Sequence, residues 1–237
     1  MRDEILKAKN IEKSFGSLRV LNNINLTISK GEKYALFGSN GAGKTTLIKI
    51  LSTILPPDSG ELTLFGKKCE KRLKNIKSKI GFMSHNTFLY NDLSAIENLN
   101  FYANLYSIKN KDERIENLLK EVGLYHRSND RIGLFSRGMK QRISLARSIL
   151  HNPEIIFLDE PFAGLDVKAQ KILNEVILRL NQHGTTFIFI IHNIGEIIDI
   201  TDRIGILSKG EIVYEFEGDK KKDFSKLYQA ILRRESS

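Results

Sequence analysis

Residues 37–50 read FGSNGAGKTTLIKI, and no other stretch limits the possible fold as strongly. An apolar run, KYALF, precedes this stretch, and in TTLIKILSTIL the apolar residues recur at helical spacing, so a strand has to become a helix within a few residues. Gly38, Gly43, Lys44 and Thr45 fit the pattern G-x-x-x-x-G-K-[ST], with Ser39, Asn40, Gly41 and Ala42 inside the loop and Thr46 just after it. Glycine reaches backbone conformations closed to other residues, so successive N–H groups can point into one concavity and surround a phosphate. Lys44 is expected to reach the β and γ phosphates of a nucleotide, and Thr45 to offer its hydroxyl to Mg²⁺. The N-terminus of the following helix adds a dipole that favours the anion.

With 237 residues, 41% of them hydrophobic, the chain can build a substantial core. Its longest uninterrupted apolar run, FIFII at Phe187 to Ile191, falls far short of the roughly 18 residues that suggest a bilayer span. The start, MRDEILKAKN, carries acids and lacks the apolar centre of a secretory signal, so a cytoplasmic location is expected. Cys69 is the single cysteine and cannot form an internal disulfide, and no zinc-type cluster accompanies it. The formal charge of +9 suits nucleotides, nucleic acid or an anionic membrane surface, and does not by itself choose among them.

Along the chain the texture changes twice. Through LRVLNNINLTISKGE, apolar and polar residues alternate as in antiparallel strands closed by a turn at Lys30 and Gly31. After the loop, its helix and the strand in PPDSGELTLFG, residues 67–150 hold the short strand IGFMS and three segments of helical spacing: SAIENLNFYANLY, DERIENLLKEVGL and SRGMKQRISLARSIL. Core texture returns with EIIFLDEP, a helix from about Val167 to Leu180, and TTFIFIIH. Strands that follow helices in this order predict a mainly parallel core sheet with ligands at the carboxyl ends of the strands. RIGILSKGEIVYEFEG predicts a closing hairpin, and FSKLYQAILRR a terminal helix. The expected fold is α/β, a P-loop NTPase with an N-terminal antiparallel β subdomain and a helical insertion. The expected domain plan is a single nucleotide-binding domain: a core at 1–66 and 151–217, a helical subdomain at 67–150 and a C-terminal helix at 218–237.

The strand IIFLDEP ends in Asp159 and Glu160. The first carboxylate is expected in the Mg²⁺ shell, directly or through water, and the second to orient and polarise the water that attacks the γ phosphate. Between the two nucleotide motifs lies FSRGMKQRISLARSIL, and here the chain resembles the nucleotide-binding subunits of ABC transporters. Their signature, typically LSGGQ, is matched by Phe135, Ser136, Arg137, Gly138 and Met139, with Arg137 in place of a glycine and Met139 in place of a glutamine.

This resemblance implies ATP as the nucleotide, with Ser136 and the Gly138 backbone touching the γ phosphate held by a second copy, so that two chains sandwich two ATP molecules. It also implies that Ala163 to Asp166 meet the opposing subunit, that His192 bonds the γ phosphate, and that Phe15 stacks on adenine. His85 stands where the family usually has a glutamine that contacts Mg²⁺ and the attacking water. Because Mg²⁺ prefers oxygen, His85 is expected to act on water or through its loop more than as a direct ligand, with Asn86 or the backbone as the alternative. A narrower similarity points to the ATPase subunits of haem exporters in cytochrome c maturation.

The function implied is that of an ATP-hydrolysing subunit, a homodimer or heterodimer, that works through separate transmembrane permease subunits on the cytoplasmic face of a membrane, with no nucleic-acid partner. A soluble ABC ATPase acting on the ribosome or on nucleic acid is the alternative. It would be expected to carry tandem cassettes or a long coiled coil, and neither is encoded here. A small-molecule kinase would leave the signature segment and His192 unexplained.

Overall fold

A computed structural model describes residues 3–69, 74–84, 86–192 and 199–217, so His85 and the helix expected over 218–237 lie outside the described residues. The chain divides into two compact units, Met1–Lys77 with Thr186–Ser237, and Ser78–Thr185.

In the first unit, β1 (Glu4–Phe15) and β2 (Leu18–Ser29) form a long antiparallel hairpin, with Gly16 taking a positive φ at its turn. Ile5, Leu6, Ala8 and Ile11 of β1 and Leu21, Ile24, Leu26 and Ile28 of β2 are buried, as strand alternation requires, although several bulges interrupt the register. β3 (Lys33–Phe37) begins after the turn at Gly31. β4 (Ser59–Leu64) pairs with the other edge of β1, and β5 (Lys67–Lys68) closes this antiparallel sheet in the order β2-β1-β4-β5, after which comes the short α2 (Lys74–Lys77).

β3 runs parallel to two later strands, β8 (Thr186–Ile190) and β9 (Arg203–Ser208). Every residue of β8 and all of β3 except Lys33 is buried, which explains the unbroken apolar runs YALF and FIFII: strands covered on both faces have no polar face to alternate with. β10 (Glu211–Glu217) returns antiparallel to β9 through Lys209 and Gly210, both at positive φ as a tight hairpin turn demands. Arg203 fastens this unit. Its guanidinium pairs with Glu32 and Glu215, donates to the Thr27 carbonyl, and lies 4.8 Å from the Tyr34 ring centroid. Glu32 and Glu215 raise its pKa against the opposing effect of burial.

In the second unit, β6 (Ile80–Met83) and β7 (Ile155–Asp159) pair in parallel. Around them lie α3 (Ala95–Leu105), α4 (Lys111–Glu121), α5 (Arg137–Ile149) and α6 (Val167–Gln182). α3 starts at a capping box in which Ser94 and Glu97 each satisfy the other's backbone N–H. Leu99, Ala103, Ile115, Leu118, Leu119, Ile143 and Ile149 supply its buried helical faces. α5 crosses β6 so closely that a Cβ on Gly81 would stand 2.5 Å from the Ser148 carbonyl oxygen.

Candidate nucleotide-binding site

α1 (Lys44–Leu51) follows β3 through the loop Gly38–Gly43 and is shorter than its apolar spacing predicts, because Thr53 adopts a positive φ and the last carbonyls are taken by turn amides. Gly43 caps it at φ 104°, without a side-chain hydrogen bond, and no acid lies in its first turn. A Cβ on Gly43 would meet the Val20 carbonyl oxygen at 2.8 Å, and one on Gly38 the Leu207 carbonyl oxygen at 2.3 Å. Both positions therefore require glycine. At Gly41, by contrast, φ is 83° and the space beyond the α-carbon is open. Ala42 is buried and its N–H donates to the Ser39 carbonyl, while Asn40 and Thr45 are exposed and Ser39 and Thr46 half-buried.

Lys44 is buried to 6% exposure, and its ammonium donates to the carbonyls of Gly38 and Ser39, each at 2.8 Å. The chain is thereby curled around its own cation, and the opening amides of α1 have no side-chain cap, an arrangement that suits phosphate oxygens. Thr45 at this helix start supplies a hard oxygen donor of the kind Mg²⁺ takes.

Elsewhere in this unit, Phe15 ends β1 with half its surface exposed. The Lys13 ammonium stands 5.6 Å from its ring centroid and pairs with Asp58 at 2.6 Å. That hydrogen bond, with a second from the Ser14 N–H, holds the Asp58 carboxyl below its usual range. His192 follows β8 and is exposed.

In the second unit, Asp159 ends β7 at 4% exposure, and Glu160 comes next with a φ of 54°. A left-handed conformation is costly for a non-glycine residue, and such strain concentrates at functional sites. The Glu160 carbonyl accepts from the Ala163 N–H and from Gln141 Nε2, both at 3.3 Å. Gln141 is buried on α5, so the signature helix is tied directly to the backbone of the acid pair. Reading the sequence did not single out Gln141; its position one turn along from Ser136 was the available signal.

Ser136 caps α5 and accepts from the Met139 N–H, which leaves its own O–H to donate. Gly138 lies in the first turn of the same helix. Asp166 caps α6 by accepting from the Ala169 N–H at 2.7 Å. Within this unit the structure therefore brings the signature segment, Asp159–Glu160 and the Ala163–Asp166 turn together around α5 and the start of α6. Among the described residues, no three His, Cys, Asp or Glu side chains gather in a cluster. Magnesium that shares its shell with phosphates and water needs no such cage.

A family model described as ABC transporter matches residues 21–163. The chain is 37% identical over 211 residues to the linearmycin resistance ATP-binding protein LnrL of Bacillus subtilis (strain 168), covering 88% of this chain and 68% of that protein. It is 36% identical over 225 residues to the bacitracin transport ATP-binding protein BcrA of Bacillus licheniformis, covering 94% and 73%. Among solved structures, the dimeric post-hydrolysis state of the ATP-binding cassette MJ0796 bound to ADP and Pi aligns with a TM-score of 0.82 at 28% identity, covering 90% of this chain and 98% of the other. Its fold is that of these cassettes, as the strand–loop–helix signal predicts. The chain belongs to the ABC transporter family, as an ATP-binding, ATP-hydrolysing subunit.

Proposed function

We propose that the chain hydrolyses ATP as one half of a two-copy sandwich and drives transport through separate membrane subunits. The observation that carries this reading is the buried Lys44 ammonium within a loop of obligatory glycines, at a helix start with no side-chain cap. In it, the amides of residues 41–46 and Lys44 hold the β and γ phosphates, and Phe15 stacks on adenine at the exposed end of its strand. Thr45 and Asp159 would hold Mg²⁺, with His85 or its loop acting on nearby water. When bound, that ion offsets the negative charge of the phosphates. Glu160 accepts a hydrogen bond from the attacking water and aims its oxygen in line with the γ phosphorus, and His192 donates to the γ phosphate. Ser136 and the Gly138 N–H of a second copy close the site from the other side.

The membrane partner would dock on an exposed aromatic surface made by Phe88, Tyr90 and Phe101. Asn98, Tyr102 and Arg147 hold that surface in shape. Among the described residues no helix is long and apolar enough to cross a membrane. Attachment through such a partner at the cytoplasmic face is part of the proposed reading. The names of the relatives, bacitracin transport and linearmycin resistance, guide the proposed cargo toward antimicrobial compounds rather than haem. The internal plan is proposed as a single ATPase domain with a helical subdomain near 67–150.

Glu160→Gln tests this reading. It should retain ATP affinity, lose at least about 100-fold in turnover and accumulate an ATP-bound dimer on gel filtration. Turnover near that of the parent protein would remove Glu160 from the mechanism.

A further inference from the structure

Glu160 is held in a conformation that its own chemistry disfavours. Its φ is 54°, in the left-handed region, where a residue with a β-carbon is strained and persists only when its surroundings hold it there. Pro161 follows, and proline has no N–H. The peptide between the two can therefore be anchored by hydrogen bonds through one atom alone, the Glu160 carbonyl oxygen. That oxygen accepts twice, from the Ala163 N–H and from Gln141 Nε2, each at 3.3 Å. The first bond closes a local turn. The second comes from a different element, since Gln141 lies on α5, nineteen positions earlier, and is only 3% exposed. α5 is in turn fastened by Arg142 to the Val122 carbonyl at 2.8 Å and by the Ser144 hydroxyl to the Thr87 carbonyl at 3.3 Å. A carbonyl oxygen has two lone pairs, so both acceptor places are filled. With the peptide plane pinned from its own turn and from a neighbouring helix, the direction of the Glu160 Cα–Cβ bond is set.

We propose that Gln141 is a positioning residue for hydrolysis: it holds the Glu160 backbone in its left-handed conformation and so aims the Glu160 carboxylate at the attacking water. This rests on the role proposed above for Glu160 and deepens it by naming what sets the aim. The Gln141 amide acts through the Glu160 carbonyl and touches no reacting atom. A catalytic group displaced by about 1 Å can lose on the order of 100-fold in rate, whereas one neutral hydrogen bond contributes far less to folding. Turnover is therefore the sensitive readout. Nucleotide affinity is the insensitive one, because Lys44 and its loop lie in the other unit and keep their own hydrogen bonds.

The test compares turnover and ATP binding in the full chain. Gln141→Met keeps the length and bulk of the side chain and removes the donor; Gln141→Glu keeps its shape and turns an acceptor toward the carbonyl. Each should lower kcat at least about tenfold while ATP affinity, by fluorescent-nucleotide titration, stays within about twofold of the parent. The decisive arm repeats Gln141→Met in the Glu160→Gln background, with residual hydrolysis followed by release of labelled phosphate. With no carboxylate left to aim, the second substitution should change that residual rate by less than about twofold. An equal loss in both backgrounds would mean that Gln141 supports α5 in general, and it overturns the proposal. So does a Gln141→Met chain that hydrolyses like its parent, or one that loses ATP affinity as much as rate. Turnover near the parent's in Glu160→Gln alone would instead remove the base itself, a result that appears without any change at position 141.

Discussion

Gly43 lies at φ 104° with the Val20 carbonyl 2.8 Å and Leu21 Cδ2 2.9 Å from the place a methyl group would occupy. A single added carbon must therefore shift the loop in which the Lys44 ammonium is seated. Gly43→Ala should weaken ATP binding by at least about tenfold while the chain still folds, as read by fluorescent-nucleotide titration; affinity equal to that of the parent would show that the loop accepts the strain. Residues of this kind were legible in the sequence because the phosphate ligand dictates both their type and their spacing. Gln141 was not. Its value lies in one hydrogen bond to the Glu160 carbonyl, a partner nineteen positions away that only folding brings near. Arg137 was visible as a departure from the family pattern, but its freedom from ion pairs and its seat on Gly164 were not.

Among the elements, α3 carries the fully buried Asn98, whose side chain makes four hydrogen bonds to backbone groups. Its side chain accepts from the Tyr90 N–H and donates to the carbonyls of Tyr90, Leu93 and Ser94, so it shapes the loop that leads into α3. Asn98→Ala leaves several of those backbone groups without their partner. It should cost about 2 kcal/mol, or roughly 4–8 °C in Tm, measured by calorimetry. A change under about 1 °C would mean that water replaces the amide without loss. The existence of several helices was readable from period: α3, α4 and α5 fall on the segments with apolar residues at intervals of three and four, while α6 lies where a helix from about Val167 to Leu180 was expected and the core strands β3, β7 and β8 showed as unbroken apolar runs. The end of α1 was not, since LSTIL continues the helical spacing, while Thr53 leaves the helix for a positive φ and the Lys49 carbonyl is taken by the Ile54 and Leu55 amides.

At the scale of the whole molecule, stability should carry a pH signature from His151. Its Nε2–H donates to the Ile80 carbonyl at 2.9 Å, which sets the neutral tautomer, and its Nδ1 is buried without a hydrogen-bond partner. Burial pushes the imidazole pKa down; the Ile80 hydrogen bond opposes this, and the positive charges of Arg147 and Arg114 add to it. Below the ordinary imidazole pKa of about 6.5 the unfolded chain takes a proton that the folded chain refuses. The full contribution is therefore present above that value and is lost as the pH falls toward the lowered folded value. His151→Phe keeps a ring against Tyr106, whose centroid is 4.1 Å away, and removes the titration. The Tm advantage of the parent over the variant should shrink between about pH 7.5 and pH 5.5; a constant difference would show that His151 stays out of the proton balance.

The sequence by itself determined the nucleotide chemistry, the family and the order of the elements, because a phosphate loop, an acid-ended core strand and a signature helix are local in the chain and each is written in residue type and spacing. Only the tertiary structure decided that Gly38 and Gly43 face carbonyls of Leu207 and Val20, that Gln141 grips the Glu160 backbone, that Arg137 lies unpaired on Gly164, and that His151 is buried on one side. The physical reason is that such contacts join atoms far apart in the chain. Close packing sets their distances, and no run of neighbouring residues encodes what will be pressed against it.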